Sequence, residues 1–252
     1  MSDRLLELQG VCRAFGGLKV ISDLNYSIGE KEVRVIIGPN GAGKSTTLKL
    51  ISGFLAPDSG TISIFGKAIN GTPAYQRHRL GLAQTFQTPR VIHDLTIEEN
   101  LQLAINPPGI MLAAMISWGL PNDCRTKIAG AMERTGLERD SRTLVRNLTH
   151  AELKRLDIAM AVIRSPRLLM LDEPTAGLGV EESFRIAKLI HDLSESMAII
   201  VVEHDMNFVQ QLNERITVLH NGAIFREGSF SELAGDPDVR RIYLGEHDGD
   251  CI

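Results

Sequence analysis

The chain has 252 residues, enough for one large domain or two smaller ones, and its 43% hydrophobic content is ordinary for a globular protein with a buried core. The formal net charge is −4 with acidic and basic residues interspersed, which argues against a nucleic-acid-binding surface, so we expect no nucleic acid partner. Three widely spaced cysteines, at positions 12, 124 and 251, fit neither a disulfide framework nor a zinc site and favour a reducing compartment.

Two features of the sequence bear on membranes. The first ten residues lack the apolar core of a signal peptide. The most apolar stretch, residues 110–118 (IMLAAMISW), is much shorter than the roughly 20 residues that a spanning helix requires. We therefore expect a chain that is soluble when isolated, although it could dock on a membrane protein.

In chain order, strand-like runs come first, helical periodicity dominates the middle, and strands alternate with helices at the end. Predicted strands cover 5–11, 20–28, 32–37, 61–66, 168–171, 198–202, 216–219 and 223–226, and glycines 10, 16, 17 and 29 mark predicted turns. Predicted helices cover 73–80, 96–104 (with Thr96 and Glu99 as a possible cap), 123–136, 181–195 and 205–213. This alternation predicts an α/β fold with a mostly parallel, covered sheet and a helical insertion.

Residues 35–51 read VIIGPNGAGKSTTLKLI, a G-x-x-x-x-G-K-[ST] phosphate loop between a strand and a helix. Glycines let successive backbone N–H groups turn toward phosphate oxygens, and the helix N-terminus adds partial positive charge. The Lys44 ammonium can reach the outer phosphates, and the Ser45 hydroxyl can bind Mg²⁺. The alternative is a plain glycine turn in which Lys44 is only solvated.

An unbroken apolar run, residues 168–171, ends in Asp172 and Glu173. Ligands bind at the carboxyl ends of parallel strands, so Asp172 is placed to hold a phosphate-bound Mg²⁺ and Glu173 to polarise the attacking water. A second apolar run, residues 199–202, precedes Glu203 and His204, and this predicts that His204 lies at the same edge, near the γ-phosphate. The alternatives are solvated acids and a structural histidine.

Residues 149–163 predict a helix that starts with a capping box formed by Thr149 and Glu152. Apolar residues follow at helical spacing, so a well-capped core helix is one interpretation. The functional interpretation is that its N-terminus faces an anion carried by another molecule.

Together these motifs resemble the nucleotide-binding subunit of an ABC transporter, over about residues 4–245. The resemblance implies a P-loop NTPase (ABC ATPase) fold with a mostly parallel core sheet, an antiparallel β subdomain and a helical subdomain. Residues 4–90 and 165–245 would form a RecA-like core with the β subdomain, and 91–164 the helical subdomain.

The resemblance also implies ATP and Mg²⁺ as cofactors. Glu173 and His204 would be catalytic, Phe15 would stack on adenine (a core position is the alternative), and Mg²⁺ would meet Ser45, Gln87 and Asp172. The remaining ATP contacts would come from Gly38, Pro39, Asn40, Gly41, Ala42, Gly43, Lys44 and Thr46.

In the family, two such subunits pair head to tail, and a signature motif, LSGGQ, meets the ATP of the partner. Its counterpart here is Leu148–Glu152, so Thr149, His150, Ala151 and Glu152 would face the partner's nucleotide. Ala151 replaces a glycine, Glu152 replaces a glutamine, and Gly179 replaces the usual acidic or amide residue of the interface loop. A Cβ and a negative charge near the partner's γ-phosphate lead us to expect slow or asymmetric hydrolysis.

The finer resemblance is to importer ATPases for branched-chain amino acids, urea or short amides, carried by Phe15–Leu18, Thr85–Gln87, Val202–Met206 and Pro237–Gly245. The urea branch is favoured by Arg34–Gly38 and Phe86–Pro89. Implied partners are transmembrane permeases, a second ATPase subunit and, indirectly, an extracytoplasmic solute-binding protein, at the cytoplasmic face of the membrane. Alternatives are a non-transport ATPase acting on DNA or ribosomes, a P-loop kinase, and a nucleotide-sensing module with weak hydrolysis.

Overall fold

The computed structural model describes residues 4–105 and 122–244. The strands are β1 Arg4–Phe15, β2 Leu18–Gly29, β3 Val33–Ile37, β4 Ser59–Ile64, β5 Lys67–Ala68, β6 Leu82–Gln84, β7 Leu168–Asp172, β8 Ala198–Val202, β9 Arg215–His220 and β10 Ala223–Gly228. The helices are α1 Lys44–Ser52, α2 Ala74–Arg79, α3 Ile97–Ile105, α4 Asn122–Arg134, α5 His150–Val162, α6 Val180–Ser194, α7 Met206–Leu212, α8 Phe230–Gly235 and α9 Pro237–Leu244, with a 3₁₀ turn at Val145–Asn147.

Six strands form the central sheet in the order β10-β9-β3-β8-β7-β6. The neighbours from β9 to β6 run parallel, and β10 is added antiparallel at one edge. Every residue of β3 and β8 is buried, as the unbroken apolar runs predict for strands covered on both faces. This sheet places the carboxyl ends of β3, β7 and β8 side by side.

A second sheet is antiparallel, in the order β2-β1-β4-β5. Gly10 was expected to mark a turn, but this prediction is wrong, because β1 continues through it to Phe15. Gly10 has φ 59° and lies where the register of β1 shifts against both neighbours, so it forms a bulge. Glycine is suited to a bulge, as it is to a turn, because it tolerates positive φ.

Helices α3, α4 and α5 pack around their own apolar cluster, which includes Ile97, Leu101, Ile128 and Leu156. The predicted cap of α3 is confirmed, since Glu99 N–H donates to Thr96 Oγ1 and Thr96 N–H donates to Glu99 Oε2. The sheets and helices together confirm the expected α/β fold with parallel, antiparallel and helical parts. The subdomain boundaries near 90 and 165 remain a prediction.

The apolar stretch 110–118 and Cys251 lie outside the described residues. Within the described ranges, no helix combines the length and apolar character needed to cross a membrane. Helices α8 and α9 were not predicted as separate elements; α8 starts with a capping box at Ser229 and Glu232 that the sequence pattern could have revealed.

Candidate functional site

The phosphate loop follows β3 and ends where α1 begins at Lys44. Its last glycine, Gly43, precedes the helix in a left-handed conformation, φ 102°, and a Cβ there would lie 2.6 Å from Ile21 Cδ1. Only glycine combines this backbone conformation with such close packing. Among the described residues no side chain caps α1, which leaves the first N–H groups of the helix available to an anion such as phosphate.

Lys44 is buried and donates to two carbonyls of its own loop, Gly38 O at 2.7 Å and Pro39 O at 3.1 Å. Burial lowers the pKa of the ammonium, while the carboxylates of Glu173 and Asp172 raise it. An ammonium has three N–H donors, so one is left for a phosphate oxygen.

The two predicted acids lie at the end of β7, next to β8. Asp172 pairs in register with Val202, and Glu173 N–H donates to Val202 O at 2.9 Å. Burial raises the pKa of Asp172, and the Glu173 charge raises it further, whereas Lys49 and Lys44 lower it. Glu173 has φ 49°, a conformation uncommon outside glycine that turns the chain sharply at the strand end.

Two predicted site residues from separate parts of the chain, Gln87 and His204, approach the carboxylate of a third, Glu173. Gln87 Nε2 donates to Glu173 Oε2 at 2.8 Å, and His204 Nδ1 lies 3.4 Å from Glu173 Oε1. The His204 side chain is largely exposed, whereas that of Glu173 is mostly covered. The carboxylate is therefore oriented from two sides, which suits a group that must direct a water molecule.

The donor set around this edge suits a nucleotide-bound Mg²⁺ ion. In the part of the chain that the structure describes, no three His, Cys, Asp or Glu side chains cluster as a metal site. Instead, Ser45 is exposed beside the loop, Asp172 supplies a carboxylate, and the Gln87 amide has an oxygen in addition to the nitrogen that binds Glu173. Magnesium usually takes one or two carboxylates, with phosphate and water as the other ligands, so these residues fit it.

Two buried charges at this edge were missed in the sequence. Glu203 is fully buried, and its carboxylate accepts from Thr175 N–H at 3.1 Å, Thr175 Oγ1 at 2.5 Å, and His204 N–H at 2.9 Å. It thereby fixes the loop after Glu173 and the main chain of His204. The signal was present, because an acid that directly follows a fully apolar strand needs internal donors.

The second missed charge is Lys154, on α5, which is 3% exposed. Its ammonium donates to the carbonyls of Gln87 at 2.8 Å and Glu173 at 3.2 Å. The sequence offered little signal, since a lysine on a helix usually lies on the solvated face.

The signature counterpart begins α5 with the predicted capping box: Thr149 Oγ1 accepts from Glu152 N–H, and Glu152 Oε2 accepts from Thr149 N–H at 2.8 Å. Glu152 Oε1 also accepts from Arg139 Nε at 2.6 Å, and this bond is the main cause that lowers the pKa of Glu152. The Glu152 charge is therefore paired with Arg139 and with the helix N-terminus, which weakens the expected repulsion toward a phosphate. His150 Nδ1 lies 3.4 Å from Gly177 O, and Ala151 is half-buried on the first turn.

Phe15 ends β1 and is 45% exposed, which excludes the core position that the sequence left open. The Arg13 guanidinium lies 5.1 Å from the centroid of the Phe15 ring. An exposed ring supported by an arginine is suited to stacking on a base, although contact with adenine remains a prediction.

Comparison with known proteins agrees with this geometry. Residues 21–176 match the ABC transporter family. The high-affinity branched-chain amino acid transport ATP-binding protein LivG of Salmonella typhimurium is 34% identical, over 98% of this chain and all of the relative. The corresponding protein BraF of Pseudomonas aeruginosa is 33% identical, over 98% of this chain and 100% of its own length.

Solved structures show the same fold. A nucleotide-free ATP-binding cassette from an ABC transporter superimposes with a TM-score of 0.86 at 27% identity, over 96% of this chain and 100% of that one. An ATP-binding cassette in its ADP conformation gives 0.85 at 26% identity, over 97% and 100%. The chain therefore belongs to the ABC transporter family.

Proposed function

We propose that this chain powers the import of branched-chain amino acids or related small solutes at the cytoplasmic face of a membrane. The support is the match to LivG and BraF over almost the whole length of both chains. A probable branched-chain amino acid transport ATP-binding protein of Archaeoglobus fulgidus, 30% identical over 98% of both chains, adds to it. The relatives named here favour amino acids over urea as the cargo.

The observation that carries the ATPase mechanism is that Gln87 and His204 both approach the Glu173 carboxylate, whose charge also raises the pKa of Lys44 in the phosphate loop. Lys44 and the N–H groups at the start of α1 hold the phosphates, and Phe15 supports the base. Glu173 orients and polarises the water that attacks the γ-phosphate, while the His204 imidazole donates to a γ-phosphate oxygen. Asp172, Ser45 and Gln87 would hold Mg²⁺, which would neutralise charge on the phosphates.

Hydrolysis would require a second ATPase subunit, either a copy of this chain or a different one. Thr149, His150, Ala151 and Glu152 would then face the nucleotide of that subunit. Another ABC transporter cassette, 25% identical and with a TM-score of 0.76, has been solved as a dimer, which supports such pairing. Permease subunits would bind the pair, and an extracytoplasmic binding protein would deliver the solute to the permeases.

The test of hydrolysis is phosphate release by the purified chain, with Glu173→Gln as the key variant. Glu173→Gln should bind ATP as the wild type does but release phosphate at least about 100-fold more slowly, because the amide cannot polarise the water. The control is Glu181→Gln, an exposed acid paired with Arg185 on α6, which should leave turnover unchanged. Unchanged turnover in Glu173→Gln would refute the assigned role.

The import function needs a separate test. The chain should co-purify with permeases rather than with DNA or ribosomes, and the reconstituted complex should drive ATP-dependent uptake of labelled leucine into vesicles. Uptake of urea but not leucine would correct the cargo. Tight nucleotide binding without phosphate release, with permeases present, would favour a nucleotide-sensing subunit.

A further inference from the structure

Lys154 is a buried cation, and among the described residues its ammonium contacts main-chain carbonyls rather than a carboxylate. It lies in the second turn of α5, the helix that begins with the signature counterpart. The Nζ atom donates to Gln87 O at 2.8 Å and Glu173 O at 3.2 Å, so one side chain joins three segments of the fold. Burial is the largest influence on its pKa and lowers it, as expected for an ammonium removed from water.

This placement is costly if its only purpose is to fill space. Taking an ammonium out of water is strongly unfavourable before hydrogen bonds are counted, and main-chain carbonyls recover only part of that cost. A methionine or leucine would fill a similar volume without the penalty. The position therefore requires a donor rather than mere bulk.

The two carbonyls belong to residues whose side chains bond to each other. Gln87 Nε2 donates to Glu173 Oε2, so Lys154 holds the backbones of both partners in that contact. At Glu173 the main chain is held at both ends: its N–H donates to Val202 O on β8, and its C=O accepts from Lys154. The φ of 49° at this residue would otherwise be free to relax toward a commoner conformation.

The same helix also holds the residues on either side of Gln87. Asp157, one turn after Lys154, accepts from Arg90 N–H at 3.4 Å and from the Phe86 backbone. Residues 86–90 are therefore attached to α5 by the Lys154 ammonium, which binds Gln87, and by the Asp157 carboxylate, which binds Phe86 and Arg90. A shift of α5 would be transmitted directly to Gln87 and Glu173.

We propose that Lys154 is a positioning residue for ATP hydrolysis, which sets the Glu173 carboxylate and the Gln87 amide in the geometry needed for attack by water. Lys154 acts through those two residues, so the inference rests on the proposed role of Glu173. Misplacing a catalytic group by about 1 Å can cost 100-fold in rate, while nucleotide binding by the phosphate loop is left intact.

The experiment compares Lys154→Met, Lys154→Gln and a matched control, Arg155→Met, in phosphate release and thermal unfolding. Arg155 is the next residue of α5 and donates to Gly136 O at 2.7 Å and to Glu182 at 2.9 Å, away from the nucleotide residues. Lys154→Met should lower kcat at least about 10-fold with the KM for ATP within about threefold. Lys154→Gln, which keeps N–H donors, should recover part of the loss, and Arg155→Met should change only the unfolding temperature.

A double-mutant cycle separates positioning from general destabilisation. In a Glu173→Gln background, Lys154→Met should cause a much smaller further loss of the residual turnover than in the wild type, because one of the two residues through which it acts is already disabled. An equal further loss in that background, or full kcat in both single Lys154 variants, would overturn the inference. If Glu173→Gln itself turned over normally, the proposed role of Glu173 would fail instead, so the two failures are distinguishable.

Discussion

Helices α1 and α5 begin in opposite ways, although the family resemblance assigns a phosphate to the N-terminus of each. Helix α1 starts after Gly43 with no side-chain cap from any described residue and no acid in its first turn. Helix α5 starts with a complete capping box, and Glu152 lies in its first turn. The first helix leaves its N–H groups for an external anion, whereas the second uses one on Thr149.

The start of α1 would bind the nucleotide of this chain itself, whereas the start of α5 would face the nucleotide of a partner subunit. The phosphate loop, Asp172, Glu173 and His204 follow the expected pattern without change. Two of the three departures from the family pattern, Ala151 and Glu152, lie at the start of α5, on the surface that would face the second subunit. We therefore expect variants near α1 to affect this chain's own site strongly, and variants at the start of α5 to affect the paired site mildly.

Removing the Lys44 ammonium should have the largest effect. Lys44→Ala should weaken ATP binding at least about 100-fold, equivalent to about 3 kcal/mol, because the variant lacks the buried ammonium that would bind the phosphates. Titration with a fluorescent ATP analogue measures the affinity, with Lys188→Ala on the exposed face of α6 as the control. An affinity within threefold of the wild type would mean that α1 does not bind the nucleotide.

The other end of α1 depends on Arg77, which is 1% exposed. Its guanidinium donates to Leu50 O at 2.7 Å and Ile51 O at 2.8 Å in the last turn of α1, and also to Ile69 O and Thr72 O. Burial lowers the pKa of Arg77 to about 10, still far above neutral, so the group stays charged and favours the negative end of the helix.

Arg77→Met should therefore lower the free energy of unfolding by about 2–3 kcal/mol, because several buried carbonyls lose their donor. Denaturant titration measures this change. The control is Arg79→Met, which removes an exposed arginine of α2, the helix that also carries Arg77, and should change stability little. Equal stability in both variants would show that the C-terminus of α1 does not need the guanidinium.

The ionisation of Asp157, a buried residue of α5, makes the stability of the folded chain depend on pH. Burial raises the pKa of Asp157 to about 6, against the opposing effects of bonds from the Arg90 and Phe86 backbones and of the Lys154 and Arg90 charges. Between about pH 4 and 6, the Asp157 carboxyl therefore keeps its proton in the folded chain but has lost it in the unfolded chain. Stability from this group falls as the pH rises through that interval.

Asp157→Asn cannot ionise and keeps an acceptor for Arg90 N–H. The variant should be more stable than the wild type by about 1–2 kcal/mol above pH 6, with the difference shrinking toward pH 4. Unfolding at pH 5, 6 and 7.5 measures it. A difference that is constant across this range would refute the role of Asp157 ionisation.

The sequence predicted the parts of the site that depend on local pattern, and it missed those that depend on packing between distant segments. The phosphate loop, the acids at the end of β7 and the cap of α5 follow from short motifs with a local physical cause. Lys154 could not be assigned a role, and for Glu203 the apolar strand before it signalled only a need for internal donors. The partners of both residues are main-chain and side-chain groups that only the folded chain brings close. For the same reason, the pairing of Glu152 with Arg139 escaped a prediction made from charge alone.

The smallest expected effect concerns the start of α5 itself. Ala151→Gly removes the Cβ that replaces the family's glycine, and Glu152→Gln removes the charge while keeping an acceptor for the capping box. Because Arg139 already neutralises Glu152, we expect Glu152→Gln to change steady-state phosphate release less than twofold, and Ala151→Gly to raise it by about two- to fivefold, corresponding to 1 kcal/mol or less.

The relative size of these two effects tests which departure matters. If Glu152→Gln accelerates hydrolysis more than Ala151→Gly, the Glu152 charge opposes the partner's phosphate despite its bond to Arg139. If the wild type and Ala151→Gly are equally fast, the altered signature is no obstacle, and the expectation of slow or asymmetric hydrolysis is wrong. Unfolding temperatures must be measured alongside, because glycine in the first turn of a helix lowers stability by up to about 1 kcal/mol and could mask a gain in rate.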